Sequence, residues 1–306
     1  MRRRLQLEHV FGYRAQDVRN NLFYAQGGTV TYIAAALGVC VSPDISREQR
    51  YMSAHNDDIL SIAMYDMPKK ETSIVATGEI GVAPRIILWY ADSMETITTL
   101  RATHQRGVCQ LAFSPDGATL ASVGLDNFNC LALHNWRSGD LLVKIKTGGD
   151  SVFGLIFQPS LTDPNNDARL VTCGHKHMTF WKRRDRTHIE STSARFGRDL
   201  AGDVSVYDVC FDRAGRIIAA TNLGHLLVFQ TSKACLPLRT IPQGQGSIAN
   251  GHDGTINAVQ TVPGGAIVVS GGSDGLIRLW SCPENLEGNV QVRKGFCFVC
   301  FGVVRL

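Results

Sequence analysis

The chain has 306 residues, of which 44% are hydrophobic and 19% are charged, with a formal net charge of +4. This composition predicts a globular protein with a substantial core, and the small net charge does not indicate a nucleic-acid partner. Nine cysteines, an odd number, are dispersed through apolar segments and indicate reduced thiols in the cytoplasm. The apolar run Val30 to Val41 is too short to span a bilayer, which needs roughly 20 residues, and no secretory signal precedes it. A membrane partner is therefore not predicted.

The opening segment, residues 5–22, differs in pattern from the rest of the chain. It combines regularly spaced apolar positions with alternating acidic and basic residues beside an aromatic residue. Such a pattern favours internal salt bridges that fix the segment to the first strands, because Arg pairs well with carboxylates. Contact with a partner protein is the alternative interpretation. The residues of this opening motif are Glu8, Gly12, Tyr13, Arg14, Asp17 and Arg19.

A repeated unit follows the opening segment. Short apolar runs that end in a large aromatic residue recur, and these aromatic residues lie 47, 45, 48 and 51 positions apart. Each unit contains about four β-type segments separated by turns rich in Gly, Asp, Asn and Pro. The period and the composition predict an all-β fold built of β-propeller blades and fit a helical repeat poorly. The aromatic residues are Trp89, Trp136, Trp181, Phe229 and Trp280.

Two of the units carry polar residues that resemble the WD40 repeat. The resemblance implies that a leading His, a Ser, a turn Asp and a terminal Trp form one hydrogen-bonded network inside a blade. The physical requirement is that buried polar groups of this kind must satisfy one another. One set comprises His104, Ser122, Asp126 and Trp136, and the other comprises His252, Ser270, Asp274 and Trp280.

The other three units depart from this pattern. The first has Thr77 but no obvious turn Asp, the next has Thr172 but no leading His, and another ends in Phe229. We expect these three blades to be less regular.

Basic residues lie in the long polar connection that spans residues 183–203, at Arg183, Arg184 and Arg186. Long connections between tight blades are places where binding surfaces tend to be built. Solvated loop charge is one interpretation of these residues. The other is contact with the surface of an acidic partner protein, with an affinity that falls as salt rises. No interleaved aromatic residues accompany them, so nucleic acid is not predicted.

The remaining motifs do not predict catalysis. Gly271, Ser273 and Gly275 match G-x-S-x-G, but this motif activates a serine only on a turn between a strand and a helix, and apolar β-type runs flank it here. Cys297 and Cys300 form a lone C-x-x-C among phenylalanines, which favours buried strand cysteines over a zinc or redox site. The sequence therefore predicts a non-enzyme without a metal or cofactor.

The opening motif closely resembles the segment that begins the propeller region of the echinoderm microtubule-associated protein-like family. The resemblance continues through Val30 to Val41 and the segment ATGEIGVAPRIILW to about Ser281. It implies tubulin, microtubules and other proteins as partners, and a location in the cytoplasm on the cytoskeleton, with the cilium or spindle as candidate sites. The alternative function is a general WD40 scaffold in a signalling, ciliary or ubiquitin-ligase assembly without direct tubulin binding.

The predicted organisation has three parts. Residues 1–54 hold the hydrophobic motif and the strands of the first blade, 55–281 hold about five WD40-like units, and 282–306 form a divergent C-terminal strand or tail. This gives about six blades, so we expect a propeller that is incomplete or open relative to the first propeller of the family. With four residues before Leu5, we also expect the chain to lack the N-terminal coiled coil of many members. The oligomeric state stays open.

Overall fold

The computed structural model describes residues 7–44, 47–148, 150–159, 169–185, 188–196, 203–229, 237–240, 252–265, 267–281 and 298–299. All the regular structure in these ranges is β-strand. No helix in the same ranges is long and apolar enough to cross a membrane. The chain divides into two compact units, Met1–Gly149 and Asp150–Leu306, which are described separately below.

The first compact unit contains three antiparallel blades of four strands. The first blade has the order β1-β2-β3-β4, and the second and third are joined into one sheet by the pairing of β6 with β9. The strands are β1 (Leu22–Tyr24), β2 (Val30–Ala34), β3 (Leu37–Val41), β4 (Gln49–Met52), β5 (Ile59–Asp66), β6 (Ser73–Gly81), β7 (Ile86–Tyr90), β8 (Thr96–Leu100), β9 (Arg106–Phe113), β10 (Leu120–Gly124), β11 (Cys130–Asn135) and β12 (Asp140–Lys146).

The second compact unit also contains three antiparallel blades, each with its strands in chain order. The strands are β13 (Val152–Phe157), β14 (Arg169–Gly174), β15 (His177–Arg183), β16 (Ile189–Ser193), β17 (Val206–Phe211), β18 (Ile217–Thr221), β19 (Leu226–Phe229), β20 (Pro237–Thr240), β21 (Ile256–Thr261), β22 (Ile267–Gly272), β23 (Leu276–Ser281) and β24 (Phe298–Val299).

Inner strands of the blades are apolar on both faces because each face lies against a separate core. On β7, Ile87 and Trp89 face a core shared with the first blade, whereas Ile86 and Leu88 face a core shared with the third blade. Successive side chains of a strand point to opposite faces, so a strand buried on both sides needs a continuous apolar run. The runs that were predicted as strands are therefore the layers between neighbouring cores.

One turn geometry recurs in five blades and positions the polar residues described below. An amide at the end of the second strand, or in the turn after it, donates to a carbonyl at the start of the first strand, at 2.8 to 3.0 Å. We call the edge where these two segments meet the histidine end of a blade, because a leading His lies there in three blades. The bonds run from Ile80 to Asp58, Leu125 to Gly107, His175 to Ser151, Asn222 to Ser205 and Ser273 to Thr255.

The expectation of an all-β fold with about six blades is confirmed by six four-stranded blades in the described ranges. The predicted domain boundaries at residues 54 and 281 stay predictions. Most of the predicted C-terminal tail, residues 282–297 and 300–306, lies outside the described residues.

Candidate functional site

The most regular polar network surrounds His252 in the last blade. His252 Nδ1 lies 2.8 Å from Asp274 Oδ1, and His252 Nε2 lies 2.8 Å from Ser270 Oγ. The indole N–H of Trp280 donates to the same hydroxyl oxygen at 2.8 Å. Asp274 also accepts from the backbone N–H of Asp253 at 3.1 Å. The structure thus brings together all four residues named from the sequence, and Asp274 fixes the loop that carries the histidine.

The network around His104 differs from the expected one at its aromatic residue. His104 Nε2 lies 2.7 Å from Ser122 Oγ, and Asp126 accepts from the N–H of Gln105 at 2.7 Å. The second partner of Ser122 is His134, whose Nε2 lies 3.2 Å from the hydroxyl oxygen. The prediction that Trp136 belongs to this network is wrong.

Strand register explains this correction. In the last blade, Ser270 pairs with Arg278 of the neighbouring strand, and Trp280 lies two residues beyond that partner. The partner of Ser122 is Ala132, so the corresponding position is His134. Trp136 lies beyond the end of β11, and its N–H donates to Gly117 O at 2.9 Å.

The first of the units expected to be irregular contains a complete network. His55 Nε2 lies 2.7 Å from Thr77 Oγ1, and the indole N–H of Trp89 donates to that oxygen at 3.2 Å. The carboxylate is Glu79, whose Oε2 lies 2.8 Å from His55 Nδ1. Arg85 adds an ion pair to Glu79 at 2.7 Å. The expectation of irregularity is wrong for this blade.

The carboxylate of this network comes from a different backbone position. Glu79 stands two residues after the hydroxyl residue Thr77, at the end of the second strand. The two blades with a turn Asp have Gly124 and Gly272 at this position. A Cβ atom on Gly124 would lie 2.3 Å from His104 Nδ1, so a side chain is excluded there unless the histidine moves. Glu79 therefore replaces both the glycine and the turn Asp.

Burial and hydrogen bonding set the charge states in these networks. Burial opposes ionisation of Glu79, but hydrogen bonds from Arg85, His55 and the Asn56 N–H outweigh it and hold the pKa of Glu79 at about 2. Burial lowers the pKa of His55 below its ordinary value. Burial likewise lowers the pKa of His104 to about 4, against the opposing charge of Asp126. The networks around His55 and His104 therefore pair a carboxylate with a neutral imidazole.

The pKa of His134 is lowered to about 4, first by burial and then by repulsion from His104. With both rings neutral, the hydroxyl hydrogen of Ser122 points to one imidazole while the other imidazole donates an N–H to its oxygen. His134 thus occupies the position from which the indole of Trp280 donates in the last blade. Two buried imidazoles on one hydroxyl were not foreseen from the sequence.

The Asp274, His252 and Ser270 arrangement contains the residue types of a hydrolytic triad but lacks access for a substrate. Ser270 is 1% exposed, and its oxygen is occupied by the histidine and by the Trp280 N–H. A nucleophile must reach a reacting atom, so this serine supports the blade instead. Ser273, the residue in the G-x-S-x-G match, lies on the turn between β22 and β23.

The two blades between these networks are simpler. Trp181 donates to Thr172 Oγ1 at 2.8 Å, as Trp89 and Trp280 donate to the hydroxyl residues of their blades. No leading histidine accompanies this pair in the described part of the blade. Phe229 is fully buried in an apolar core. His175 Nδ1 lies 3.3 Å from Ser205 Oγ, at the histidine ends of neighbouring blades.

The residues of the opening motif make internal contacts. Arg14 pairs with Asp17 at 2.6 Å and with Asp58, on the loop before β5, at 2.9 Å. The hydrogen bond from Arg14 lowers the pKa of Asp17 below its ordinary value. Tyr13 donates its hydroxyl to Asn21, and the Asn21 amide donates to the carbonyl of Arg14.

Other positions of the motif are more exposed. The Glu8 carbonyl accepts from the hydroxyl of Tyr51 at 3.0 Å, which ties this part of the segment to β4. No atom lies within 4 Å of the place where a Cβ would stand on Gly12. Arg19 also has a partner in the protein. These contacts agree with the interpretation that the motif fixes the segment to the first blades.

The basic residues at the end of β15 are engaged inside the protein. Arg183 donates from Nε to Asp185 O at 2.8 Å, and Arg184 forms an ion pair with Glu190 at 2.7 Å. Arg186 lies outside the described residues, as do Cys297 and Cys300. Both described arginines therefore have part of their hydrogen-bonding capacity occupied before a partner arrives.

The repeated four-stranded blades and their buried polar networks define a WD-type β-propeller protein. The family model described as the first β-propeller of echinoderm microtubule-associated protein matches residues 48–300, and the HELP motif model matches residues 2–39. The chain therefore belongs to the echinoderm microtubule-associated protein family. The family resemblance inferred from the opening motif is confirmed.

Several curated relatives are longer than this chain. It is 29% identical to echinoderm microtubule-associated protein-like 2 of Mus musculus, over 96% of this chain and 44% of the relative. It is 29% identical to echinoderm microtubule-associated protein-like 1 of Homo sapiens, over 99% of this chain and 36% of the relative. The 77 kDa echinoderm microtubule-associated protein of Lytechinus variegatus is 25% identical, over 94% of this chain and 42% of the relative. The chain spans less than half the length of these relatives.

Solved structures of other WD40 proteins support the fold alone. The RRP9 WD40 repeats superpose with a TM-score of 0.64 at 18% identity, covering 88% of this chain and 78% of theirs. The U3-55K structure gives a TM-score of 0.61 at 19% identity, covering 84% of this chain and 74% of that one. The propeller fold predicted from the repeat period, and its WD40 type inferred from the resemblance of the polar residues, are confirmed.

Proposed function

We propose that the chain is a non-enzymatic WD-repeat module that binds tubulin or microtubules and acts on the cytoskeleton in the cytoplasm. The observation that carries this proposal is the match of both the HELP motif and the family's first propeller across almost the entire chain. The relatives are named as microtubule-associated proteins. The propeller supplies a rigid scaffold whose loops can present contact residues to a protein partner.

The internal contacts of the opening motif assign it a supporting role in this proposal. Arg14 uses both ends of its guanidinium on Asp17 and Asp58. Removing Arg14 would therefore loosen the segment from the loop before β5, and any loss of partner binding would follow from this loosening. Tubulin contacts are expected instead on exposed turns, where side chains are free to meet another surface.

Arg183 and Arg184 remain candidates for contact with an acidic partner, although each has an internal bond. Because the Arg184 side chain is exposed, its ion pair with Glu190 contributes little stability and can exchange for a partner carboxylate. Arg186 belongs to the same candidate set. We expect replacement of these residues by Ala to weaken tubulin binding modestly, with the larger effect at low salt.

The second candidate function is a WD40 scaffold that holds other proteins together in a signalling, ciliary or ubiquitin-ligase assembly. The two candidates differ in whether tubulin itself is bound. Sedimentation of the purified chain with assembled microtubules, beside size-exclusion chromatography with free tubulin, separates them. Binding in either assay supports the first candidate. If a folded and monodisperse chain associates with tubulin in neither assay, the result supports the scaffold.

A further inference from the structure

Neighbouring turns at the histidine end of the first compact unit form one continuous surface. Gly81, the last residue of β6, pairs with Arg106 at the start of β9 and so links the second blade to the third. The Arg106 guanidinium donates to Asn127 Oδ1 at 2.7 Å, in the turn between β10 and β11 of its own blade. The amide of Thr147, after β12, donates to the carbonyl of Phe128 in the same turn. We call the exposed side chains of this surface the turn patch: Val82, Arg106, Leu125, Phe128 and Lys146.

The apolar members of the turn patch are accessible to a partner. Val82 is 97% exposed and Phe128 is 48% exposed. Leu125 is also exposed, and its Cδ1 and that of Leu60 both lie 3.1 Å from the place where a Cβ would stand on Gly107. Single exposed apolar residues are common on protein surfaces. Three on adjoining turns, beside two cations, have the composition of an interaction surface.

The charges of the turn patch are positive and lack acidic partners. Arg106 bonds to an amide oxygen, and the Lys146 ammonium lies 4.0 Å from the ring centroid of Phe128. In the described part of the chain, neither cation forms an ion pair. Asp57 is exposed beside Gly81. Asp126 lies in the turn itself, but its carboxylate is largely buried and is engaged by the Gln105 amide and by Lys144. A partner carboxylate would therefore meet two cations that are not neutralised.

The backbone at Arg106 provides an independent reason to assign it a function. Arg106 has φ of +65°, in the left-handed region that side chains with a Cβ adopt at an energetic cost. In the last blade, the residue at the same distance after the leading histidine is Gly254, with φ of +105°. The fold thus accepts glycine at this position, and the chain carries arginine there despite the strain. Strained residues of this kind concentrate at binding sites.

We propose that the turn patch is the docking surface for an acidic peptide segment of a partner protein, with apolar side chains of that segment packed on Val82, Leu125 and Phe128. The carboxylates of the segment bind Arg106 and Lys146. This proposal goes beyond tubulin binding, because it specifies the chemistry of the bound segment and not the protein that supplies it. Charge complementarity together with the exposed apolar turn tips selects this occupant over a neutral or basic one.

The test uses the full chain and a short fluorescent peptide of glutamates with one central phenylalanine, measured by fluorescence anisotropy at low salt. Arg106→Gly should weaken binding about fivefold or more while the melting temperature stays the same or rises, because the strained backbone is relieved. Arg106→Lys should retain most of the binding. Asp57→Asn should strengthen binding about twofold, because it removes a repulsive charge.

Matched controls separate the turn patch from general electrostatics. Lys69 and Lys70 are exposed on the turn between β5 and β6 of the second blade, at the end opposite to Val82. Their replacement by Ala should therefore not change peptide binding. A peptide with glutamine in place of glutamate, a peptide with serine in place of phenylalanine, and an oligothymidylate of equal charge should all bind more weakly.

Each outcome has a defined meaning. Loss of binding in Arg106→Gly with retained stability supports the turn patch as the docking surface. Equal binding by wild type and Arg106→Gly, equal loss in the Lys69 and Lys70 variant, or stronger binding of the oligothymidylate would overturn it. Peptide binding without tubulin binding would support the turn patch and refute the proposed function. Tubulin binding that is unaffected by Arg106→Gly, without peptide binding, would do the reverse.

Discussion

The pair of histidines on Ser122 makes the third blade sensitive to mild acid, and His134→Gln isolates this effect. The pKa of each imidazole is about 4 in the folded chain, against an ordinary value of 6.5. Because the folded pKa is the lower one, the unfolded chain binds more protons between these values, and stability falls as pH falls from 6.5 towards 4. The glutamine amide keeps a donor to Ser122 but does not titrate.

The size of the effect follows from the two pKa values. Between pH 7.5 and pH 5, a group with these pKa values loses about 2 kcal/mol of folding free energy. Wild type should lose about 4 kcal/mol through His104 and His134 together, and His134→Gln about 2 kcal/mol less than wild type. Urea unfolding at the two pH values measures both losses. Equal losses of unfolding free energy in wild type and His134→Gln would show that His134 does not cause the acid sensitivity.

Three further variants test the networks. Glu79→Gln should destabilise the chain by about 3 kcal/mol at neutral pH. The reason is that the lowered pKa of Glu79, about 2, reports strong stabilisation of the charged carboxylate in the folded chain. An unchanged urea midpoint would contradict this expectation. Asp274→Ala should cost about 1 to 3 kcal/mol because His252 and the Asp253 amide lose their acceptor, and a melting curve identical to wild type would count against it. Trp136→Phe should cost about 1 kcal/mol through loss of the bond to Gly117 and leave the pH dependence intact, whereas a changed pH dependence would return Trp136 to the network.

The fold and the regular networks could be predicted because their signals are local and periodic. The spacing of the aromatic residues gave the blade length, and the alternation of Gly, Asp and apolar residues gave strands and turns. The last blade matched fully because His252, Ser270 and Asp274 stand at the positions that the WD40 pattern requires. Where both faces of a strand are buried, the apolar run itself marks the strand.

The remaining features depend on register and on side-chain length. Trp136 was assigned to the network because it ends an apolar run, but only the residue two positions past the strand partner of Ser122 can reach the hydroxyl. That residue is His134, and counting positions along the sequence from Ser122 could have indicated it. Glu79 was missed because its longer side chain delivers a carboxylate from the strand and not from the turn. Arg106 became informative only through its backbone conformation.

The proposed binding of tubulin by this chain is tested most directly by its affinity for free tubulin. Fluorescently labelled tubulin is titrated with wild-type chain at low and at high salt. We expect saturable binding at low salt that weakens as salt rises, because the proposed contacts join cationic turns to an acidic surface. No binding at low salt, by a chain with intact cooperative unfolding, would contradict the claim.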